Sequence, residues 1–284
     1  MSRALPLVIA AALGWTGCAV DDDDVTTGTS ELSVVTALRF AREEPEGFST
    51  GGFDLDGFDS ALGGSDGCGI GDLVHVVTGE QGIDNSFGSS LLPALENIGG
   101  GPLEDLIQNS ILDGELLLMI ELDGVDDPMN DDCVALHVSR GIGPAMIGGD
   151  GAILPDQTYS RDPDKPTSVV ECAVLQDGVL RADPFSLRLP LNIFDEHVDI
   201  TLLDGAIEVA LLGQGRITGS IGGGVGIQDL KDNVATLDGI GDQIPALIGP
   251  LLDFNADLAP TTLGTCTQLS VAITFEGVGA WFYE

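Results

Sequence analysis

The sequence predicts a mainly β fold: one antiparallel, β-rich domain of hairpins and meanders, with a few short apolar helices and, as an option, two lobes. Several runs alternate apolar and polar residues with a period of two, which is the period of a half-buried strand. The 40 glycines supply many turns between these runs. The apolar fraction is 43% but the aromatic fraction is only 5%, so the predicted core consists of Leu, Ile, Val and Ala.

The chain begins with a segment that is typical of export signals. Arg3 gives a positive start, and residues 5–15 form an apolar stretch that is too short for a permanent membrane-spanning helix. Small residues follow at Thr16 and Gly17, before Cys18. We therefore predict that the protein is exported from the cytosol.

The Thr-Gly-Cys ending resembles the lipobox of bacterial lipoproteins, although Trp15 stands where leucine is usual. The resemblance implies that Cys18 is lipidated and becomes the mature N-terminus, which would hold the protein in the bacterial cell envelope, at the outer membrane. The alternative is ordinary signal cleavage after Ala19, which would release a soluble secreted protein.

These features divide the chain into three segments. Residues 1–18 are the export or lipoprotein signal, residues 19–50 an acidic flexible tether, and residues 51–284 the β-rich globular domain. The tether assignment depends on four consecutive aspartates, residues 21–24, which cannot pack into a core. A boundary between two lobes, or between two separate domains, near residue 183 is the alternative to a single unit.

Charge excludes one class of partner. The chain has 46 acidic and 10 basic residues, which gives a formal net charge of −36. Such a surface repels phosphate groups, so we expect no binding to nucleic acid and no binding to anionic lipid headgroups through basic patches. The carboxylates either keep the protein soluble or recruit Ca²⁺, which prefers several oxygen ligands.

The first half of the domain predicts two short helices followed by a hairpin. Each helix groups its apolar residues on one face and ends at a glycine. The runs that follow alternate, so we expect them to pair. The predicted bounds are 89–98 and 102–113 for the helices, and 115–122 and 134–138 for the strands.

The second half predicts a meander. Asp177-Gly178 and Asp204-Gly205 are both dipeptides that favour two-residue hairpin turns, and each lies between two strand-like runs. A glycine-rich strand and two short helices follow before the last strand. The predicted strands are 167–175, 179–191, 197–203, 206–212, 216–227 and 268–282, with helices at 229–237 and 242–252.

Four cysteines remain after the signal, and an oxidising compartment favours two disulfides between them. Four cysteines allow three connectivities. Because Cys133 and Cys172 both lie in strand-like runs, we favour a Cys133–Cys172 bridge with a Cys68–Cys266 bridge. None of the four has a CxxC spacing, so the sequence does not indicate a zinc or redox motif.

Two groups of acidic residues are candidate calcium sites. The first is Asp54, Asp56 and Asp59 around Gly57, which resembles calcium loops of the Asp-x-Asp-Gly type but lacks the EF-hand spacing. Asp72, Asp84 and Asn85 could complete its ligand shell. The second group lies in the connection of the predicted hairpin and consists of Asp123, Asp126, Asp127, Asn130, Asp131 and Asp132. For both groups, plain turn-forming or solvated carboxylates are the alternative.

The residues do not indicate catalysis. Ser65 matches the letters of a G-x-S-x-G motif, but glycine-rich loop surrounds it where the nucleophile elbow needs a strand and a helix. The three histidines, His75, His137 and His197, are far apart. We therefore predict a non-enzymatic exported protein with a structural or binding role; the sequence does not identify a partner, whether a protein or a small apolar ligand. The alternative is a carrier of lipid or another apolar ligand, and the third choice is a secreted hydrolase.

Overall fold

The computed structural model describes residues 28–64, 67–98, 103–193, 196–236 and 243–283. In these ranges the chain forms twelve strands, four α-helices, a 3-10 turn (Gly67–Gly69) and a π-helical turn (Phe87–Leu91). The strands are β1 (Thr29–Phe40), β2 (Phe48–Ser49), β3 (Val74–His75), β4 (Leu117–Val125), β5 (Asn130–Ile142), β6 (Gln157–Arg161), β7 (Ser168–Gln176), β8 (Val179–Ile193), β9 (Glu196–Leu211), β10 (Ile217–Gly226), β11 (Leu258–Pro260) and β12 (Cys266–Phe282); the helices are α1 (Leu92–Ile98), α2 (Leu103–Leu112), α3 (Ile227–Thr236) and α4 (Gln243–Asn255).

Eight of the strands close into an antiparallel barrel. The order around it is β1-β4-β5-β7-β8-β9-β10-β12, and β12 pairs with β1 to close the ring. Strands β6 and β11 pair with β12 outside this ring, and β2 and β3 form a separate parallel pair. The predicted fold class, mainly β and antiparallel with a few short helices, is therefore confirmed.

The helices gather at one end of the barrel. α2 leads into β4, α3 follows β10, and α4 leads through β11 into β12, so all three join strand ends on the same side. Ile107 of α2, Leu230 of α3 and Phe87 of the π-helical turn pack against the apolar core of the barrel. This arrangement covers one mouth of the barrel with apolar side chains.

The long connection between β1 and α1 covers part of the outer wall. The Ala41 N–H donates to the carbonyl of Ala272 in β12, and Phe53 packs against Gly222 of β10. A Cβ at Gly222 would lie 2.7 Å from the Phe53 ring, so glycine is required for this contact. The acidic motif at residues 54–59 is thereby fixed against β10 and β12.

Both helix pairs and the β4–β5 hairpin form where the sequence predicts them, but one predicted turn is wrong. Asp177 and Gly178 have positive φ angles of 51° and 79° and connect β7 to β8 as expected. At Asp204, however, β9 continues without turning, and the register with β10 shifts nearby. A Cβ at Gly205 would lie 1.9 Å from the Gly222 carbonyl oxygen. Asp-Gly here allows close contact between strands at a bulge.

Two segment assignments also change. Residues 29–40, which composition placed in the flexible tether, form β1, whose Val34 and Val35 are fully buried between β4 and β12. The strand was assigned to the tether because four consecutive aspartates and a run of polar residues precede it in the sequence. Residue 183 lies inside β8, so one barrel contains both predicted lobes. The signal, Cys18 and the aspartates at 21–24 lie outside the described residues.

The predicted cysteine pairing is confirmed. Cys133 on β5 bonds to Cys172 on the neighbouring β7, with the Cα atoms 4.5 Å apart. Cys68 bonds to Cys266 at the start of β12, with the Cα atoms 6.0 Å apart. The second bridge ties the acidic loop region to the barrel.

We expect loss of the Cys68–Cys266 bridge to destabilise the protein more than loss of the other bridge. In the chain-entropy model a bridge spanning 198 residues contributes roughly 5 kcal/mol and one spanning 39 residues roughly 4 kcal/mol. The paired substitutions Cys68→Ala with Cys266→Ala, and Cys133→Ala with Cys172→Ala, can be compared by urea unfolding. An equal or reversed order of stability would contradict this expectation.

Candidate metal centre

Three carboxylates from two separate chain segments meet on the outer wall of the barrel. Asp54, Asp56 and Asp84 each offer an oxygen, and these oxygens all lie within 4.8 Å of one another. The Asp84 N–H donates to the Phe53 carbonyl at 2.9 Å, and the Leu55 N–H donates to Asp84 Oδ2 at 2.7 Å. This backbone bridge fixes the two segments side by side, with their acidic side chains together.

A glycine makes the approach between the segments possible. Gly82 has a φ of +76°, and a Cβ there would lie 2.8 Å from the Phe58 carbonyl oxygen and 3.2 Å from the Asp54 carboxyl group. Any side chain at this position would push the segment that carries Asp84 away from Asp54. The close grouping of carboxylates is therefore built into the backbone.

Asp84 has an unusual environment for a carboxylate. Its side chain is only 1% exposed, and nothing in the described residues donates a hydrogen bond to its Oδ1. Burial raises the pKa of Asp84 to about 9; the hydrogen bond from Leu55 opposes this shift, and the nearby Asp72, Asp257 and Asp56 add to it. Without a positive charge beside it, this group is more stable protonated than ionised.

A second buried carboxylate, Asp257, lies on the same face of β12. Both of its oxygens accept hydrogen bonds from Ser270, one from the backbone N–H and one from the hydroxyl. The Ser270 oxygen in turn accepts from the Ser86 N–H, two residues beyond Asp84. Burial raises the pKa of Asp257 to about 7, against the opposing effect of the Ser270 hydrogen bonds. No local sequence pattern marks Asp257, because its partner Ser270 is brought near only by the fold.

The remaining residues of the first acidic motif take other roles. Asp59 is exposed and lies outside the group of three. Asp72 accepts a hydrogen bond from the Ser60 N–H, and burial raises its pKa. The Asn85 amide donates to the Ala41 carbonyl and to the Ser49 hydroxyl, so it ties the loop to the barrel. The structure thus unites Asp54, Asp56 and Asp84, which the sequence had placed in one loop-rich segment.

The second acidic motif forms no comparable group within the described residues. Asp131 accepts hydrogen bonds from the N–H groups of Asp126 and Cys133, which hold its pKa below the usual range. Asp127 accepts from the Met129 N–H, and Asn130 accepts from the Asp177 N–H. Asp123 and Asp132 are exposed on β4 and β5. Asp127, Asn130 and Asp131 therefore accept hydrogen bonds from backbone amides at the tip of the hairpin.

The residues that could have indicated catalysis do not form a described site. His75 accepts hydrogen bonds from the Val77 and Thr78 N–H groups through Nδ1, which is a structural contact. His137 lies in the barrel wall, opposite Glu121. Ser65 and the side chain of His197 lie outside the described residues. The absence of enzymatic activity therefore stays a prediction.

The core contains a small apolar cavity at the helical end. Its volume is about 60 Å³, and apolar side chains such as Leu38, Ile107, Leu230 and Phe87 line it entirely. An engineered apolar cavity of about 150 Å³ accepts benzene, so this one suits a smaller apolar group.

Comparisons with known proteins add no family: no protein-family model, curated protein or solved structure matches the chain. In the described part of the chain, no helix combines the length and the apolar character needed to cross a bilayer.

Because Asp257 is buried, we expect the stability of the folded protein to fall as the pH rises. The pKa of Asp257 is about 7 in the folded protein, against an ordinary value of 3.8. Between these two pH values the Asp257 carboxyl group is protonated in the folded state but ionised in the unfolded state. In the presence of chelator, the melting temperature should therefore decrease between about pH 4 and pH 7. The Asp257→Asn side chain keeps a polar partner for Ser270 but does not titrate, so the melting temperature of this variant should decrease less over the same pH range. An identical pH dependence in the two proteins would contradict the assignment.

Proposed function

We propose that this protein is a non-enzymatic, extracytoplasmic barrel protein with a binding role, and that Ca²⁺ held by Asp54, Asp56 and Asp84 stabilises it. The observation that carries the calcium proposal is the buried Oδ1 of Asp84, which has no hydrogen-bond donor among the described residues and two further carboxylates within reach. A divalent cation there would pair all three negative groups at once.

Chemistry favours calcium over other metals. The three ligands are hard carboxylate oxygens, with neither thiolate nor imidazole among them, which is the ligand type that Ca²⁺ prefers. Asp54 and Asp56 are half-buried, so water could complete the coordination from the solvent side. Binding would also remove the proton from Asp84, since a carboxylate coordinates in its ionised form.

The stabilising effect follows from the position of the site. The cation would clamp residues 54–56 to residue 84, and these segments pack on β10 and β12 through Phe53, Ala41 and Ser86. A ligand that binds only the folded state must raise its stability. The expected role of the metal is therefore to fix the outer loop on the barrel.

We expect calcium to raise the melting temperature of the full protein, and Asp84→Asn to abolish that increase. At a calcium concentration about 30 times Kd the gain is roughly 2 kcal/mol, or about 5 °C for a protein of this size. In chelator, the variant should be at least as stable as the wild type, because the amide replaces a carboxylate whose burial is unfavourable. Differential scanning calorimetry with and without chelator measures both effects.

Asp132→Asn provides the matched control, since this aspartate is exposed at the tip of the hairpin. Its response to calcium should equal that of the wild type. Calcium that stabilises Asp84→Asn as much as the wild type would place the ion elsewhere and reject the proposed ligands.

We also propose that the protein works outside the cytosol, attached to the membrane by lipid on Cys18. Two disulfides support an oxidising compartment. The lipobox-like ending before Cys18 supports the lipid, which would serve as its contact with the membrane; release after Ala19 as a soluble secreted protein is the alternative.

Intact-mass spectrometry of the protein purified from its native envelope should show a chain that begins at Cys18 and carries acyl groups. Cys18→Ala should lose the acyl mass and the membrane attachment. A mature chain that begins at residue 20 without lipid would instead support the secreted form.

A carrier of an apolar ligand is the second candidate function. The observation in its favour is the wholly apolar cavity beneath the helices, although its volume of about 60 Å³ admits only a small group. A lipid chain would require Ile107 and Leu230 to move away from the core. Native mass spectrometry of the extracted protein would reveal such a ligand as an added mass.

A further inference from the structure

A second feature, independent of the acidic cluster, lies at the other end of the barrel. It is a cleft of about 580 Å³ between the start of β1, the β9–β10 turn, the segment before β6 and the end of β12. We call it the rim cleft; the side chains that matter here are those of Glu31, Asp156, Gln214, Arg216 and Trp281. Ligand sites of proteins typically have volumes of about 300–1,000 Å³ and occur at the mouths of barrels.

The walls of the rim cleft are fixed to β12 at one glycine. On one side, the Asp156 N–H donates to the Gly279 carbonyl at 2.7 Å. On the other side, Gly215 packs so closely on Gly279 that a Cβ at Gly215 would lie 2.5 Å from the Gly279 Cα. The buried Ser33 hydroxyl also donates to the Gly215 carbonyl at 2.9 Å. Both walls are thus held in place before any ligand arrives.

The segment that carries Asp156 has further support. The neighbouring Gln157 is 4% exposed, and its amide donates to the carbonyls of Met146 and Leu154 and accepts from the Met146 N–H. This network anchors the loop on which Asp156 adopts a φ of +61°. Gln214 on the opposite wall has a φ of +58°. Left-handed conformations are unfavourable for residues other than glycine and persist where the surroundings enforce them, often at functional sites.

The groups in the rim cleft define the chemistry of a ligand. Arg216 and the Gln214 amide supply hydrogen-bond donors, whereas Glu31 and Asp156 supply acceptors. Within the described residues the Arg216 guanidinium makes no ion pair, so its donors are free to contact a ligand. The Trp281 side chain is 60% exposed and offers a flat apolar face.

The charges of the protein and of the rim cleft favour a neutral ligand. The net charge of −36 repels anions. Within the rim cleft, Arg216 offsets one of the two carboxylates, Glu31 and Asp156, so little net charge is left to attract a simple cation. Hydroxyl groups both donate and accept hydrogen bonds, which suits a cleft with both kinds of partner. A sugar ring combines such hydroxyls with an apolar C–H face that can lie on an indole. We propose that the rim cleft binds a neutral carbohydrate, with Trp281 beneath the ring and Arg216 and Asp156 on its hydroxyls.

Tryptophan fluorescence tests the proposal directly. The chain has two tryptophans, and Trp15 belongs to the predicted signal, so Trp281 is the only tryptophan of the mature protein. The mature protein is excited selectively at its tryptophan and titrated with glucose, N-acetylglucosamine, cellobiose and chitobiose. At least one of these sugars should change the emission of Trp281 in a saturable way. A response to none of them in the millimolar range overturns the proposal.

Variants then locate the binding. Arg216→Gln should weaken the affinity for the responding sugar by about tenfold or more, since a charged hydrogen bond is lost. Arg39→Gln removes an exposed arginine of the barrel wall and should leave the affinity unchanged. Equal affinity in Arg216→Gln and Arg39→Gln contradicts the site.

Two further measurements keep the test independent of one variant. Asp156→Asn introduces a residue that also tolerates the left-handed backbone, and it should likewise weaken the binding of the sugar. Calorimetry of Trp281→Ala, with circular dichroism to verify folding, should show loss of the binding heat. Stronger binding of glutamate or lysine than of every neutral sugar would overturn the carbohydrate assignment.

Discussion

Backbone pairing along β12 is the constraint on which the rest of the structure depends. This strand bonds to β10 on one edge and to β1 on the other, and it thereby closes the barrel. This closure pairs β1 with β12, so the first and last strands of the ring do not present these edges to strands of another molecule. Both proposed sites also rest on β12: Ser270 and Ala272 support the acidic loop, and Gly279 supports the walls of the rim cleft.

The burial of acidic groups is the feature of this barrel that hydrophobic packing does not explain. Asp84 and Asp257 are 1% and 2% exposed in a protein that already has a large excess of negative charge. Asp257 is compensated by two hydrogen bonds from Ser270, whereas Asp84 keeps one oxygen without a donor among the described residues. Asp257 therefore belongs to a hydrogen-bonded network, whereas Asp84 is left with an oxygen available to the proposed cation.

Local patterns in the sequence predicted the fold class, the helices and the grouping of Asp54 and Asp56, with Asp84 named as a residue that could join them. The grouping of Asp54 and Asp56 could be predicted because both residues precede Gly57 in one turn. The buried position of Asp257 could not be predicted, because it depends on contact with Ser270. Only the pairing of strands brings these two residues together. Asp204-Gly205 was misread because the same dipeptide suits a hairpin turn and a bulge, and only the neighbouring strand decides between them. The rim cleft, likewise, combines residues from four distant parts of the chain.

The pairing of the first barrel strand with the last has a consequence for how the chain reaches its fold. The Thr36 hydroxyl on β1 donates to the Glu276 carbonyl on β12, across 240 positions of the sequence. Such distant contacts are slow to form, because a long loop must be closed before they can contribute. The ring therefore cannot close while the ribosome is still adding β12. Until β12 has been synthesised, the apolar strands of the incomplete ring remain exposed and are prone to aggregation.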